Sequence, residues 1–410
     1  MPDCRKPAKA RPRLLVLAST YPRWPGDPEP GFVHELAKRL ADRFDVTVLG
    51  PHAPGALPRE VMDGVQVVRY RYAPEWLETL VNDGGIVTHL RRSKWKLLLV
   101  PGFVLAQAWV AWRLLRRERI DVIHAHWLLP QGLIAALLQS LPGRKVPFVV
   151  TSHGADLYAL RGGALDALKR FVLRRAMAAT VVSHAMVESL RGIGADTSKV
   201  SVLPMGVDLQ GRFSGEEGVE RSRDEILFVG RLVEKKGLCH LLDALPLVRR
   251  RFPAAMLTIA GFGPEEMALR AQAKALGLDS GVHFLGAVPQ AGLPALYRRA
   301  ALFVAPFVRA RSGDEEGLGL VLVEAIGCGC PILAGRVPAL AEVLGAGFED
   351  MAVDPRDPVR LAEAIVAALA DPAVTHERAA RLRASVGLRF DWGSVAEGYT
   401  RLLSGTVERQ

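Results

Sequence analysis

The chain has 410 residues, half of them apolar, 23% charged and 7% aromatic. At about 150 residues per domain this is enough for two or three domains, and it excludes a disordered chain, which lacks the residues to build a core. Lys and Arg outnumber Asp and Glu by 53 to 43, a net charge of +10 that attracts polyanions: nucleic acid, phosphorylated small molecules or an acidic membrane face. Four cysteines are too few for a disulfide scaffold and have no zinc spacing, so Cys328 and Cys330 read as small buried thiols in a reducing cytosol.

The N-terminus is basic, but residues 14–18 are only five apolar residues, short of the about 7–15 that a signal peptide needs. Strands are expected at 13–18, 45–49, 65–71, 121–125, 147–151, 179–182 and 200–203, with helices at 33–43 and 165–177 among them. The run 97–112 is broken by Pro101, Gly102 and Gln107 and falls short of the about 20 residues a spanning helix wants, so no transmembrane segment is expected. Residues 210–223 are charged and poor in apolar side chains and read as a linker. The series then restarts with strands at 225–229, 256–260, 282–285, 301–304, 331–334 and 351–353, and helices at 238–251 and 264–276. Most strands lack polar alternation, as parallel strands covered on both faces do. Two doubly wound α/β halves follow, residues 1–208 and 209–390, and a last helix opens at Trp392.

No GxxxxGK[ST], GxSxG or HExxH is present, and no Asp-x-Asp offers a metal–diphosphate clamp, so the reading contains no metal and no cofactor. Gly261-Phe262-Gly263 approaches a dinucleotide fingerprint but has Glu266 at the third glycine position, where a pyrophosphate would meet a carboxylate. The strongest constellation is Glu316-Gly317-Leu318-Gly319-Leu320, continuing to Glu324: two glycines allow close backbone approach, and the apolar run from Leu320 starts a helix whose unpaired amides favour an anion. Two carboxylates eight residues apart can bracket a diphosphate and bind hydroxyls on either side. After the first strand of the second half, Arg231 and Lys236 supply two cations able to neutralise a leaving diphosphate. Gly31 leaves a phosphate or sugar room at a helix start, and His153 ends a strand at the same kind of edge. His124 and His126 read as the end of their strand.

Together these residues resemble the retaining glycosyltransferases of family 4, of GT-B fold, with two facing Rossmann-like domains and an interdomain cleft. The resemblance runs from about Leu14 to Leu403 through YPRWPGDPEPGFV, DVIHAHW, TSHGAD, PMGVD, VGRLVEKKG, AGFGPE, VHFLG and EEGLGLVLVEAIGCGCPI. It implies an acceptor-side domain at 1–208, rejoined by the helix 391–410, and a nucleotide-sugar domain at 209–390. It implies that Glu316 contacts the donor sugar near its anomeric centre and that Glu324 binds the ribose. Arg231 and Lys236 would hold the diphosphate, with the amides of Gly317, Leu318, Gly319 and Leu320 adding hydrogen bonds. His153 would lie beside the sugar, and Gly31 would line the cleft from the other domain. Two departures are Met205, where many relatives carry asparagine, and VPALAEVL, which lacks a Gly-x-Pro-Glu.

The expected activity is retaining, metal-independent transfer of a hexose from a UDP-sugar, with GDP-mannose second, to a glycan or lipid-linked acceptor. Arg91, Arg92, Lys94 and Lys96 beside Trp95 and the run from Leu97, then Arg113, Arg116, Arg117 and Arg119, suggest peripheral contact with an anionic membrane on the cytoplasmic side. The competing readings are a nucleotide-sugar epimerase or a phosphorylase on the same fold, and a basic nucleic-acid-binding protein. The last would need clustered arginines interleaved with exposed aromatics, whereas the positive charges here are spread, so no nucleic acid is expected.

Overall fold

The computed structural model describes residues 11–27, 31–81, 85–86, 89–90, 93–142, 145–216 and 218–409. By contacts the chain forms two compact units. The first is Met1–Thr151 with Ala167–Thr180 and Gly398–Gln410; the second is Ser152–Asp166 with Val181–Glu397.

The first sheet contains β1 (Arg13–Leu17), β2 (Asp45–Pro51), β3 (Arg59–Met62), β4 (Val65–Tyr70), β5 (Val122–His126), β6 (Phe148–Ser152), β7 (Ala178–Val181) and β8 (Val200–Val202), in the order β3-β4-β2-β1-β5-β6-β7-β8. β1 lies parallel to both β2 and β5, with Leu15 opposite Thr47 on one side and Ile123 on the other. Its residues Leu14–Leu17 are fully buried, which is why the strand is a continuous apolar run. One strand escapes the apolar-run criterion. β3 pairs antiparallel with β4 through Asp63-Gly64, whose φ values of 48° and 80° make the primed turn that suits a two-residue hairpin. β3 is half polar because it is an edge strand.

The apolar run 97–112 is not interrupted. A 3-10 turn, Lys94–Leu98, leads into the α-helix Leu99–Arg117, and together they are long and apolar enough to cross a membrane by length and composition. Pro101 is tolerated because it lies in the first α-helical turn, where backbone N–H groups have no intrahelical partner. Gly102 is needed because a Cβ there would lie 2.8 Å from the Tyr72 carbonyl oxygen. One stripe, Phe103, Gln107, Ala111 and Leu114, is buried. Gln107 donates to the carbonyls of Ala18 (3.1 Å) and Leu49 (3.3 Å), so the helix is a packed covering element of the first unit.

The second sheet contains β9 (Glu225–Val229), β10 (Met256–Ala260), β11 (Val282–Gly286), β12 (Leu302–Ala305), β13 (Ile332–Gly335) and β14 (Ala352–Val353) in the order β11-β10-β9-β12-β13-β14. Numbered within the unit this is 3-2-1-4-5-6, the doubly wound order whose direction of winding reverses between its first and fourth strands, here β9 and β12. The helix Leu238–Arg251 covers it with an apolar stripe of Leu238, Leu241, Leu242, Leu245 and Val248. The last helix, Trp392–Glu408, follows two others, Pro358–Ala370 and Pro372–Phe390.

Candidate active site

In open α/β sheets the crevice for a ligand forms at the carboxyl ends of the strands where the winding reverses. In the second unit that point is served by the loop after β9, Gly230–Gly237, and the loop after β12, from Pro306 to Gly319. The two approach so closely that side chains are excluded. Gly237 has φ 64°, and a Cβ on it would lie 1.8 Å from the Pro306 carbonyl oxygen. The chain then enters the helix Leu238–Arg251 directly. On the other loop Gly319, at φ 85°, caps the helix Leu320–Gly327.

This contact joins the two charged motifs. Lys236 Nζ donates to Glu316 Oε2 at 2.7 Å, with side chains only 13% and 17% exposed. The same ammonium sits 3.9 Å from the centre of the Phe307 ring, a cation–π contact that shields it from water. Next to it Lys235 reaches Asp314 at 3.2 Å and the Glu315 carbonyl at 3.0 Å, tying the second loop down. Burial would raise the Glu316 carboxyl, but the ammonium groups of Lys236 and Lys235, with hydrogen bonds from Lys236 and the Gly317 amide, hold it at about 2. Burial lowers the Lys236 pKa, and Glu316 works against that loss. The half-buried Arg231 adds a further positive charge that reaches Lys236. A fixed, shielded cation of this kind stabilises negative charge growing nearby without reorganising.

Glu324, about one turn into the helix, has a different environment. It is 7% exposed and accepts from Tyr297 Oη at 3.0 Å. Burial raises its carboxyl to about 7, opposed by hydrogen bonds from Tyr297 and Gln290 and by the charges of Arg212 and Lys236. Two glutamates of one motif are thus poised oppositely, one locked as the anion and one near its midpoint at neutral pH.

His153 follows β6 and lies in the second unit. Its backbone N–H donates to Asp156 Oδ1 at 3.3 Å, and Ser152 Oγ donates to the same oxygen at 2.9 Å. A Cβ on Gly317 would lie 2.9 Å from the His153 carbonyl oxygen, and one on Gly154, at φ 101°, would lie 3.1 Å from Gly317 Cα. Ser183 Oγ also donates to the Gly317 carbonyl, at 2.8 Å. The His153-Gly154 backbone therefore packs on the start of the Glu316 motif. Leu318 is buried, and Leu320 is half-buried at the helix start.

Gly31 belongs to the first unit, at the N-terminus of the helix Phe32–Leu40. Its φ of −82° uses no glycine freedom, and among the described residues a Cβ there would meet only Pro22 Cγ, at 4.0 Å. His124 is fully buried with Nε2 2.8 Å from Thr151 Oγ1, and burial lowers it to about 3, so it is a neutral core residue. Cys328 and Cys330 are buried thiols, pushed by that burial to about 12.

Sequence reading overlooked Ser183, Tyr297, Phe307 and Lys235. Ser183 and Phe307 stand just beyond strand ends, the position that flagged His153. Tyr297 carries no local signal, because its partner is 27 residues away.

Comparison with known proteins agrees with this architecture. A family model described as Glycosyltransferase Family 4 matches residues 32–210, and one described as Glycosyl transferases group 1 matches residues 212–385. The chain is 30% identical over 403 residues to a glycogen synthase of Mycobacterium tuberculosis, covering 94% of this chain and 92% of that protein. It is 33% identical over 286 residues to a phosphatidyl-myo-inositol mannosyltransferase of Mycobacterium leprae, covering 69% and 72%. Anabaena HepE, solved in complex with UDP and glucose, superposes with a TM-score of 0.72 at 19% identity, over 96% of this chain and all of that one. The fold is GT-B, and the chain belongs to the group 1 glycosyltransferases.

Proposed function

We propose that the protein is a retaining, metal-independent hexosyltransferase that takes a hexose from a UDP-sugar, with GDP-mannose as the second donor, and delivers it to a glycan or lipid-borne acceptor at the cytoplasmic face of a membrane. The observation that carries this reading is the shielded Lys236–Glu316 pair at the winding reversal of the second sheet, beside a glycine-led helix start. Lys236 and Arg231 hold the diphosphate, and the amides of Gly317, Leu318, Gly319 and Leu320 bind phosphate or sugar oxygens. Glu316, ionised, accepts from donor-sugar hydroxyls near the reacting carbon. Glu324 accepts from the ribose, and His153 lies beside the sugar.

In the reaction the acceptor oxygen bonds to the anomeric carbon on the face that the diphosphate leaves. The C1–O bond breaks with its electron pair going to the nucleoside diphosphate, and the acceptor proton passes to the departing phosphate oxygen. Negative charge grows on the diphosphate, where Lys236, Arg231 and the helix amides stabilise it. HepE, with UDP and glucose bound, supports the first donor, and a relative named as a GDP-mannose-dependent mannosyltransferase, 28% identical over 362 residues, supports the alternative one.

The membrane part of the reading rests on the helix Leu99–Arg117 and its lead-in. Leu98, Leu105 and Trp109 are exposed there by 81%, 68% and 57%. Lys94 precedes them, and exposed Arg113, Arg116, Arg117 and Arg119 follow. Exposed apolar groups beside cations match an anionic leaflet in both polarity and charge. Arg91 and Arg92, also implicated by sequence, lie outside the described residues.

A thermal-shift panel of nucleoside diphosphates tests the donor site: UDP or GDP should raise the melting temperature of wild type and fail to do so for Lys236→Ala. No shift with either nucleotide contradicts the donor assignment. Flotation with anionic vesicles tests the surface: wild type should float at low salt, and Leu105→Glu/Trp109→Glu should not. Absence of wild-type flotation removes the membrane from the reading.

A further inference from the structure

The first unit has its own winding reversal, between β1 and β5, and the residue at the carboxyl end of β5 is Trp127. Its backbone is at φ 75°, ψ 136°, a region that side chains of ordinary residues avoid and glycine occupies freely. Among the described residues only Asp63, in its hairpin turn, is another non-glycine with positive φ. The strain at Trp127 is fixed from both ends: its N–H donates to the Thr151 carbonyl at 2.7 Å, and its carbonyl accepts from the Gly132 amide at 3.0 Å. A glycine would fit this backbone without strain, so the large side chain has a use that outweighs its conformational cost.

The indole is only half-buried, and among the described residues its ring neighbours include Phe32, edge-on with ring centres 6.2 Å apart, and His126, tilted at 6.1 Å. Phe32 opens the helix that follows the loop after β1. Aromatic rings from both sides of the reversal thus meet at the place where an α/β sheet receives its ligand.

We propose that Trp127 is the specificity-determining platform for the acceptor: its indole packs on the C–H face of a pyranose or cyclitol ring, so that the acceptor presents a ring polyol to the first unit. This inference rests on the glycosyl-transfer reading and narrows its acceptor. The faces of such rings carry axial C–H groups that match an electron-rich indole, while their hydroxyls remain at the rim for hydrogen bonding. The strained backbone aims the ring without a flexible loop, so little order has to be created on binding.

The test uses full-length protein carrying 5-fluorotryptophan, with the Trp127 resonance identified by its absence in Trp127→Phe. Methyl α-D-glucopyranoside, methyl α-D-mannopyranoside and myo-inositol are the probes. At least one should shift the Trp127 signal at millimolar concentration, and no shift by any of the three overturns the proposal. With the probe that binds, transfer from labelled UDP-glucose and GDP-mannose is then measured. Trp127→Gly, which keeps the backbone conformation, should raise the acceptor KM about tenfold or more, equivalent to about 1.4 kcal/mol. It should leave the donor KM and the UDP-induced thermal shift unchanged, and Trp127→Phe should recover most of the loss. Equal acceptor KM in wild type and Trp127→Gly overturns the platform. Failure of wild type to transfer from either donor, with the Trp127 shift intact, instead overturns the glycosyl-transfer reading on which it rests.

Discussion

Glu324 offers a quantitative check of the site, because its burial sets a pH dependence that one substitution removes. Its carboxyl titrates at about 7 in the folded protein, against an ordinary value of 4.5. Between those two values the folded state keeps a proton that the unfolded chain has released, so stability is highest below about 4.5 and falls as pH rises towards 7. The gap corresponds to about 3 kcal/mol once the carboxylate is fully charged. Glu324→Gln keeps the shape and an acceptor for Tyr297 Oη while carrying no charge, so it abolishes this term and leaves the other titrating groups in place. About 2.5 kcal/mol of this is lost between pH 5 and pH 8.5, so at about 2–4 °C per kcal/mol for a unit of this size the melting temperature of the variant relative to wild type should rise by roughly 5–10 °C across that window. Calorimetry across that range reads the difference directly. Parallel curves for the two proteins would refute the claim that Glu324 is buried and near its midpoint at neutral pH. In the proposed role the same proton blocks a hydrogen-bond acceptor, so the donor KM of wild type should increase as pH falls below 7.

Other outcomes follow from the same geometry. Lys236→Met strands the Glu316 carboxylate and should destabilise the second unit by about 3 kcal/mol, while the double variant Lys236→Met/Glu316→Gln should recover much of it; additive losses in denaturant titrations would argue against a coupled pair. Glu316→Ala should lower kcat by about two orders of magnitude, at about 1.4 kcal/mol per tenfold, whereas Glu324→Ala should chiefly raise the donor KM; the same pattern in both would refute the division of roles. Gly237→Ala should cost more than about 2 kcal/mol, because its φ is left-handed and its Cβ would overlap the Pro306 carbonyl. Gly31→Ala should stay within about 0.5 kcal/mol of wild type in melting experiments, since its backbone is ordinary and among the described residues only Pro22 approaches, at 4.0 Å.

The legible parts of the molecule were those written in contiguous residues. Buried parallel strands announce themselves as apolar runs, and the helix Leu238–Arg251 was placed to the residue. β3 was missed although Asp63-Gly64 is a strong hairpin signal, because an edge strand with Arg59 and Glu60 fails an apolar-run criterion. Pro101 and Gly102 look like breakers, and only the tertiary position of each shows why the helix passes through them. In the site, glycines and charges spaced along one loop were readable. The pairing of Lys236 with Glu316 spans 80 residues, and the partner of Glu324 is a tyrosine from another helix. Opposite titration of two glutamates in one motif arises from those distant neighbours, so no local pattern contains it. The same holds for Trp127, whose strain is set by Thr151 and Gly132 across the sheet edge.

In the proposed reaction Lys236 and Glu316 serve retaining transfer without a metal. Proton NMR of the product formed from UDP-glucose or GDP-mannose and a methyl glycoside, in excess EDTA, tests it most directly. The account predicts a new glycosidic bond with the anomeric configuration of the donor, formed at an undiminished rate in EDTA and strongly reduced in Glu316→Ala. An inverted product, or transfer lost in EDTA and restored by Mg²⁺ or Mn²⁺, would contradict it.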